Sequence, residues 1–156
     1  MRTIVLDWKK TNVLDMDSME NTYWYMLTYR GKIRYVGITS PASNQSVQDE
    51  IRSKKHIEKF DAIYNHCIIW LGYFKNNTKY QDSICRCTNK IVHETENLLI
   101  YKTNPDLNDY CKCEYRGRDF RIINKGCELL PKKICEYNKR KRNPIALKVR
   151  KIRAEK

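Results

Sequence analysis

An α/β domain with a small, mostly antiparallel sheet flanked by helices, and a C-terminal extension, is the fold class this sequence predicts. Three observations lead there. Two aromatic and β-branched runs separated by a Gly-containing turn (residues 22–38) read as a β-hairpin. A continuous apolar run, Cys67 to Phe74, reads as a buried strand. Apolar residues at Ile91, Val92, Thr95, Leu98 and Leu99 follow helical spacing. The 156 residues are 41% hydrophobic and 31% charged, enough for one packed core.

Element by element, Thr3 to Leu6 is a short strand-like run followed by polar, Asp-rich sequence. Thr22 to Tyr29 is the first hairpin strand, Arg30-Gly31-Lys32 the turn and Ile33 to Ile38 the return. Pairing about residue 30 sets Tyr25 opposite Tyr35 on one face. Thr39 to Gln45 is a loop. Ser46 is placed to cap a helix reaching about Phe60, on which Arg52 and His56, four apart, share a face. After the strand at 67–74 and a polar turn comes a helix over residues 89–101, stopped at Asn104-Pro105. Glu94 and Glu96 lie at opposite edges of its apolar stripe, and periodicity does not choose between them. Asp119 to Asn124 is a late strand and Lys125-Gly126 its turn. The division predicted is a lead segment (1–20), a catalytic domain (21–110), an extension packed on it (111–137) and a basic tail (138–156).

Charge is concentrated. The chain carries +13, and residues 132–156 alone carry +9, from eleven bases against two acids. Such a segment favours an anionic polymer, nucleic acid rather than membrane, because it lacks a large apolar face. Lys139, Arg140, Lys141, Arg142, Lys148, Arg150 and Lys151 are its candidate backbone contacts. No apolar run approaches the roughly 20 residues that span a bilayer, and no signal peptide opens the chain, so a cytoplasmic protein is expected. Seven cysteines include the pairs Cys85-Arg-Cys87 and Cys111-Lys-Cys113. One intervening residue is shorter than zinc knuckles use, and free thiols are expected. Nucleotide-cradling Gly loops, His-Glu-x-x-His and Gly-x-Ser-x-Gly are all absent from the sequence.

What remains is a pair of hairpin tyrosines, an Arg/His pair on one helix and a helix-edge Glu. In that order they resemble the motifs of the GIY-YIG nuclease superfamily. Tyr23-Trp24-Tyr25 is similar to a degenerate first motif, and Tyr35-Val36-Gly37 to the second. Arg52-x-x-x-His56 resembles the helix motif in which His or Tyr follows Arg by four residues. Glu96-Asn97-Leu98-Leu99-Ile100, then Pro105 and Asn108, resembles the Glu-x-x-Leu-Ile…Pro-x-x-Asn element. Ile38 stands where many members carry Lys.

The resemblance implies a Mg²⁺- or Mn²⁺-dependent endonuclease acting on DNA, most naturally double-stranded. It makes Glu96 the metal ligand, Arg52 the clamp on phosphate oxygens, and Tyr25 or Tyr35 the group that positions the attacking water. His56 is a second candidate for proton transfer, and Asn108 a structural residue. Glu94 is left as a surface carboxylate. The alternatives are a catalytically silent DNA-binding protein of the same fold and a zinc-stabilised interaction protein. One active site per chain leaves a double-strand break to a homodimer, two nicks or rebinding.

Overall fold

The computed structural model describes residues 1–12, 24–39, 60, 63, 66–75, 83–84 and 86–137. Six strands form one sheet: β1 (Arg2–Asn12), β2 (Trp24–Tyr29), β3 (Lys32–Ile38), β4 (Ile68–Lys75), β5 (Phe120–Lys125) and β6 (Lys133–Glu136). Their spatial order is β3-β2-β4-β1-β5-β6. Only β1 and β5 run parallel; every other neighbouring pair is antiparallel. A single helix among the described residues, α1 (Asn89–Thr103), packs on one face. The architecture is therefore mixed α/β and sheet-dominated. The expected helix ending near Phe60, with Arg52 and His56, lies outside the described residues. So does the basic tail beyond Tyr137.

β1 is longer than the Thr3–Leu6 run and sits inside the sheet, between β4 and β5. The polar residues after Leu6 do not end it, because they alternate with inward ones. Ile4, Leu6 and Trp8 face α1, whereas Asp7 and Lys9 point to the other side. Asp7 is accommodated by Lys75 across the β1–β4 ladder, at 2.6 Å. Segments before residue 21 and after 110 thus supply strands to the same sheet as the hairpin.

Two apolar layers form, one on each face. The larger joins Ile4, Leu6, Trp8, Trp24, Met26 and Val36 to the buried side of α1. The smaller holds Tyr25, Leu27, Tyr35, Ile69 and Leu71 under Phe60 and Ile63. All three tryptophans are buried, and each indole N–H finds an acceptor: Trp8 donates to Asn124 Oδ1, Trp24 to the Val92 carbonyl and Trp70 to Thr28 Oγ1. The Trp24 bond ties the hairpin to α1.

The hairpin register differs from the expected one. Its turn has two residues, Arg30 and Gly31, both at positive φ, as a two-residue hairpin turn of the primed type requires. From it Tyr29 pairs with Lys32 and Thr28 with Ile33. The register then slips at a bulge, so that Leu27 pairs with Tyr35 and Tyr25 with Gly37. Continued without the bulge, this ladder would put Tyr25 opposite Val36 and send Tyr25 and Tyr35 to opposite faces. The extra residue, Arg34, restores them to one face, two positions off direct opposition.

Arg34 is held from outside the sheet. Its carbonyl accepts the Leu107 N–H at 3.0 Å, and its guanidinium grips Asp106 through both carboxylate oxygens at 2.6–3.0 Å. The hydrogen-bonded Arg34 holds the Asp106 carboxyl below its ordinary range. A depressed folded-state pKa contributes stability above the unfolded pKa and loses it as pH falls through the folded value. The pair is largely solvated, so Asp106→Asn is expected to cost about 0.5–1 kcal/mol at pH 7. In urea titrations that difference should shrink as pH falls from about 4, the ordinary carboxyl value, through the depressed folded value; a gap that does not shrink on acidification would assign the loss to something other than the ion pair.

Candidate functional site

Gly37 is the floor on which Tyr25 rests. A Cβ built at residue 37 would meet the Tyr25 ring and hydroxyl at 2.5–2.8 Å, so only glycine lets the ring lie across β3. Tyr25 is 1% exposed and Tyr35 7%, with ring centroids 5.9 Å apart. Phe60 closes on Tyr35 edge-on at 4.9 Å. The sequence-predicted tyrosines therefore do share a face and a neighbourhood. Both are packed groups, with Tyr25 the deeper.

Asn108 is 1% exposed and bonds twice to the backbone of one residue. Its Oδ1 accepts the Val36 N–H at 2.9 Å and its Nδ2 donates to the Val36 carbonyl at 2.8 Å. On an edge strand such as β3, alternate residues present both backbone groups outward with no ladder partner. The Asn108 amide takes the place of a seventh strand. Its role is structural, and it anchors the chain leaving α1 to the strand that carries Tyr35.

Glu96 sits on the inner side of α1, 5% exposed. Its Oε1 accepts the Tyr110 hydroxyl at 2.8 Å, and its Oε2 lies 3.7 Å from Nδ1 of the exposed His93, an ion pair whenever that imidazole is protonated. Tyr110 as a residue is 48% exposed, while its hydroxyl is bonded to the buried carboxylate. Burial, then the Glu96 charge, hold the Tyr110 phenol far above its ordinary pKa, and Tyr35 acts in the same direction. Tyr110 is thus a committed proton donor. Two residues earlier in the same stretch, Asn108 is bonded to Val36 of the edge strand, the neighbour of Tyr35.

The next residue fixes that geometry. Cys111 adopts φ +60°, a left-handed conformation costly for a residue with a Cβ, and its thiol donates to Asn97 Oδ1 at 3.2 Å. Burial, with Glu96 behind it, raises the Cys111 pKa. Tyr110 and Cys111 belong to no periodic element, and although Cys111 stands out as half of a Cys-x-Cys pair, nothing in the local pattern points either residue at α1; only the fold returns them there.

Glu94 is not the surface carboxylate expected. Its side chain is mostly buried, with Oε1 3.3 Å from Arg118 Nε, because the segment after residue 111 folds back over that edge of α1. Its charge adds to burial in raising the Tyr115 pKa. The described cysteines are all free, and burial pushes the Cys87 thiol up to about 11. Cys85 lies outside the described residues. A groove of about 580 Å³ between the hairpin tip and the C-terminal end of α1 is lined by Lys32, Arg34, Lys102 and Asp106, and shares no residue with the Tyr25, Tyr35, Glu96 and Tyr110 set.

Glu96 can serve as a cation ligand on the chemistry of its donors. Among the described residues no three His, Cys, Asp or Glu side chains cluster, so a closed protein cage is not formed there. A lone carboxylate suits Mg²⁺, which keeps several waters and shares substrate phosphate oxygens. No helix among the described residues is long and apolar enough to cross a membrane. No family model, curated protein or solved structure matches the chain.

Proposed function

We propose that the protein is a metal-dependent endonuclease of the GIY-YIG type, hydrolysing DNA phosphodiester bonds. The observation that carries this reading is a buried carboxylate, Glu96, bonded to Tyr110 in the stretch that Asn108 fastens to Val36 of the tyrosine-bearing hairpin. Hydrolysis needs a deprotonated water, relief of charge on phosphorus and help for the leaving oxygen. Glu96 would hold one divalent cation, Mg²⁺ or Mn²⁺, which supplies Lewis acidity toward the phosphate when bound. Tyr35 orients the attacking water, and Tyr25 over Gly37 fixes the strand that presents it. Tyr110 remains protonated beside Glu96 and holds the carboxylate in one orientation. Arg52 and His56 take the phosphate-clamping and proton-transfer roles that the sequence resemblance implies, and the basic tail adds backbone contacts.

The test is nicking of supercoiled plasmid in Mg²⁺, Mn²⁺ or EDTA, comparing wild type with Glu96→Ala. Metal-dependent nicking is expected, with a loss on the order of 10²-fold or more in the variant. Wild type that binds the plasmid without cutting it would replace this reading with a silent DNA-binding protein.

A further inference from the structure

The sheet face turned away from α1 is divided. Its β3-β2-β4 part is apolar and lies under Phe60 and Ile63. On β1, β5 and β6, and at the last residue of β4, the registers align a different set. Asp7 pairs with Lys125 across β1–β5, Thr3 with Arg121, and Ile123 with Lys133 across β5–β6, while Val5 pairs with Lys75 across β1–β4. Paired residues share a face. Among the described residues of these strands, Lys9, Lys75, Arg121, Lys125 and Lys133 therefore project to one side with a single acid, Asp7, which Lys75 engages. On the α1 side the same strands carry two bases, Arg2 and Lys10, and one acid, Glu136.

Lys9, Lys75, Lys125 and Lys133 are exposed. Lys9 lies over the half-buried Tyr73 ring at 5.2 Å, and Arg121 Nε, though buried, has no hydrogen-bond partner. Strands about 4.8 Å apart and residues about 3.3 Å apart along them put Lys9, Lys125, Lys133 and Arg121 on the order of 8 Å from one to the next. That spacing lets each cation meet a different phosphate.

We propose that this basic face is a docking surface for the phosphodiester backbone of duplex DNA. It rests on the nuclease reading for its partner and names a substrate surface within the folded domain, separate from the tail. A duplex fits better than a single strand. Single-strand grooves rely on exposed aromatic platforms, whereas lysine ammonium groups dominate the exposed part of this face.

The test is binding of a fluorescent 30-base-pair duplex by the full chain in EDTA, titrated across salt concentration. The variant Lys9→Ala/Lys125→Ala/Lys133→Ala is compared with Arg86→Ala/Lys90→Ala/Arg116→Ala, which removes the same charge from exposed positions outside the sheet. The strand-face variant is expected to flatten the log–log salt slope by about 2–3 and to weaken binding about tenfold or more at 0.1 M salt. The second variant should shift the slope by less than about 1. Equal shifts, or a strand-face slope within about 1 of wild type, would overturn the proposal. Thermal melts of both variants check that they fold. Binding through this face with no cleavage in Mg²⁺ would end the nuclease reading alone; cleavage with an unaltered slope would end the docking surface alone.

Discussion

Asn108→Ala is expected to destabilise the protein by about 3 kcal/mol, a shift of more than a hundredfold in the folding equilibrium. The side chain removed satisfies a buried N–H and a buried C=O of the same residue, Val36, at 2.9 and 2.8 Å. Each orphaned buried group costs about 1–3 kcal/mol. Because β3 is the sheet edge, the loss also bares an unpaired strand, so aggregation on unfolding should increase. Asn108→Asp separates the two bonds. A carboxylate still accepts from Val36 N–H but sets a charged oxygen against the Val36 carbonyl. Only the protonated acid can donate there, so folding raises the pKa of the introduced carboxyl. Stability is then lowest near pH 7 and recovers as pH falls through that raised value toward about 4. Urea midpoints for the two variants across pH 3–8 check this. Midpoints for Asn108→Asp that fall in parallel with wild type on acidification would refute the donor role assigned to Nδ2.

Gly37→Ala is expected to cost about 2–3 kcal/mol through overpacking rather than through backbone conformation. The added methyl would lie 2.5 Å from Tyr25 Cζ, and that ring is fully buried between Leu27, Tyr35 and the Phe60 layer. The ring has to leave its place or the strand has to shift. A double-mutant cycle with Tyr25→Ala distinguishes this from a general strand effect. If the clash is the cause, Gly37→Ala costs much less once the ring is gone, with a coupling above about 1 kcal/mol. A coupling near zero would show that residue 37 is sensitive for some other reason. The same cycle reports on the candidate site, since Tyr25 and Gly37 fix the strand that presents Tyr35.

Much of the local structure is legible from pattern alone. Hairpin strands, a buried fourth strand, the helix from residue 89 and its stop at Asn104 all follow from period, turn chemistry and the rule against helix before proline. Periodicity also puts Glu96 at the margin of the helix's apolar stripe, although its partner Tyr110 arrives from outside the helix. β1 was partly hidden because Asp7 and Lys9 interrupt the apolar run, yet Leu6 and Trp8 already alternate with them. Glu94 shows the limit: an edge position on a helix is solvent-facing only until another segment covers it.

By itself the sequence determined the element types, the concentration of positive charge beyond residue 132 and the chemistry available at Tyr25, Tyr35, Glu96 and Asn108. Those depend on composition and on residues within a few turns of one another. Only the tertiary structure decided the hairpin register, the place of β1 inside the sheet and the meeting of Tyr110 with Glu96. The bulge at Arg34 is secured by Asp106 and Leu107, remote in sequence, and one residue of slip is enough to move a tyrosine to the other face.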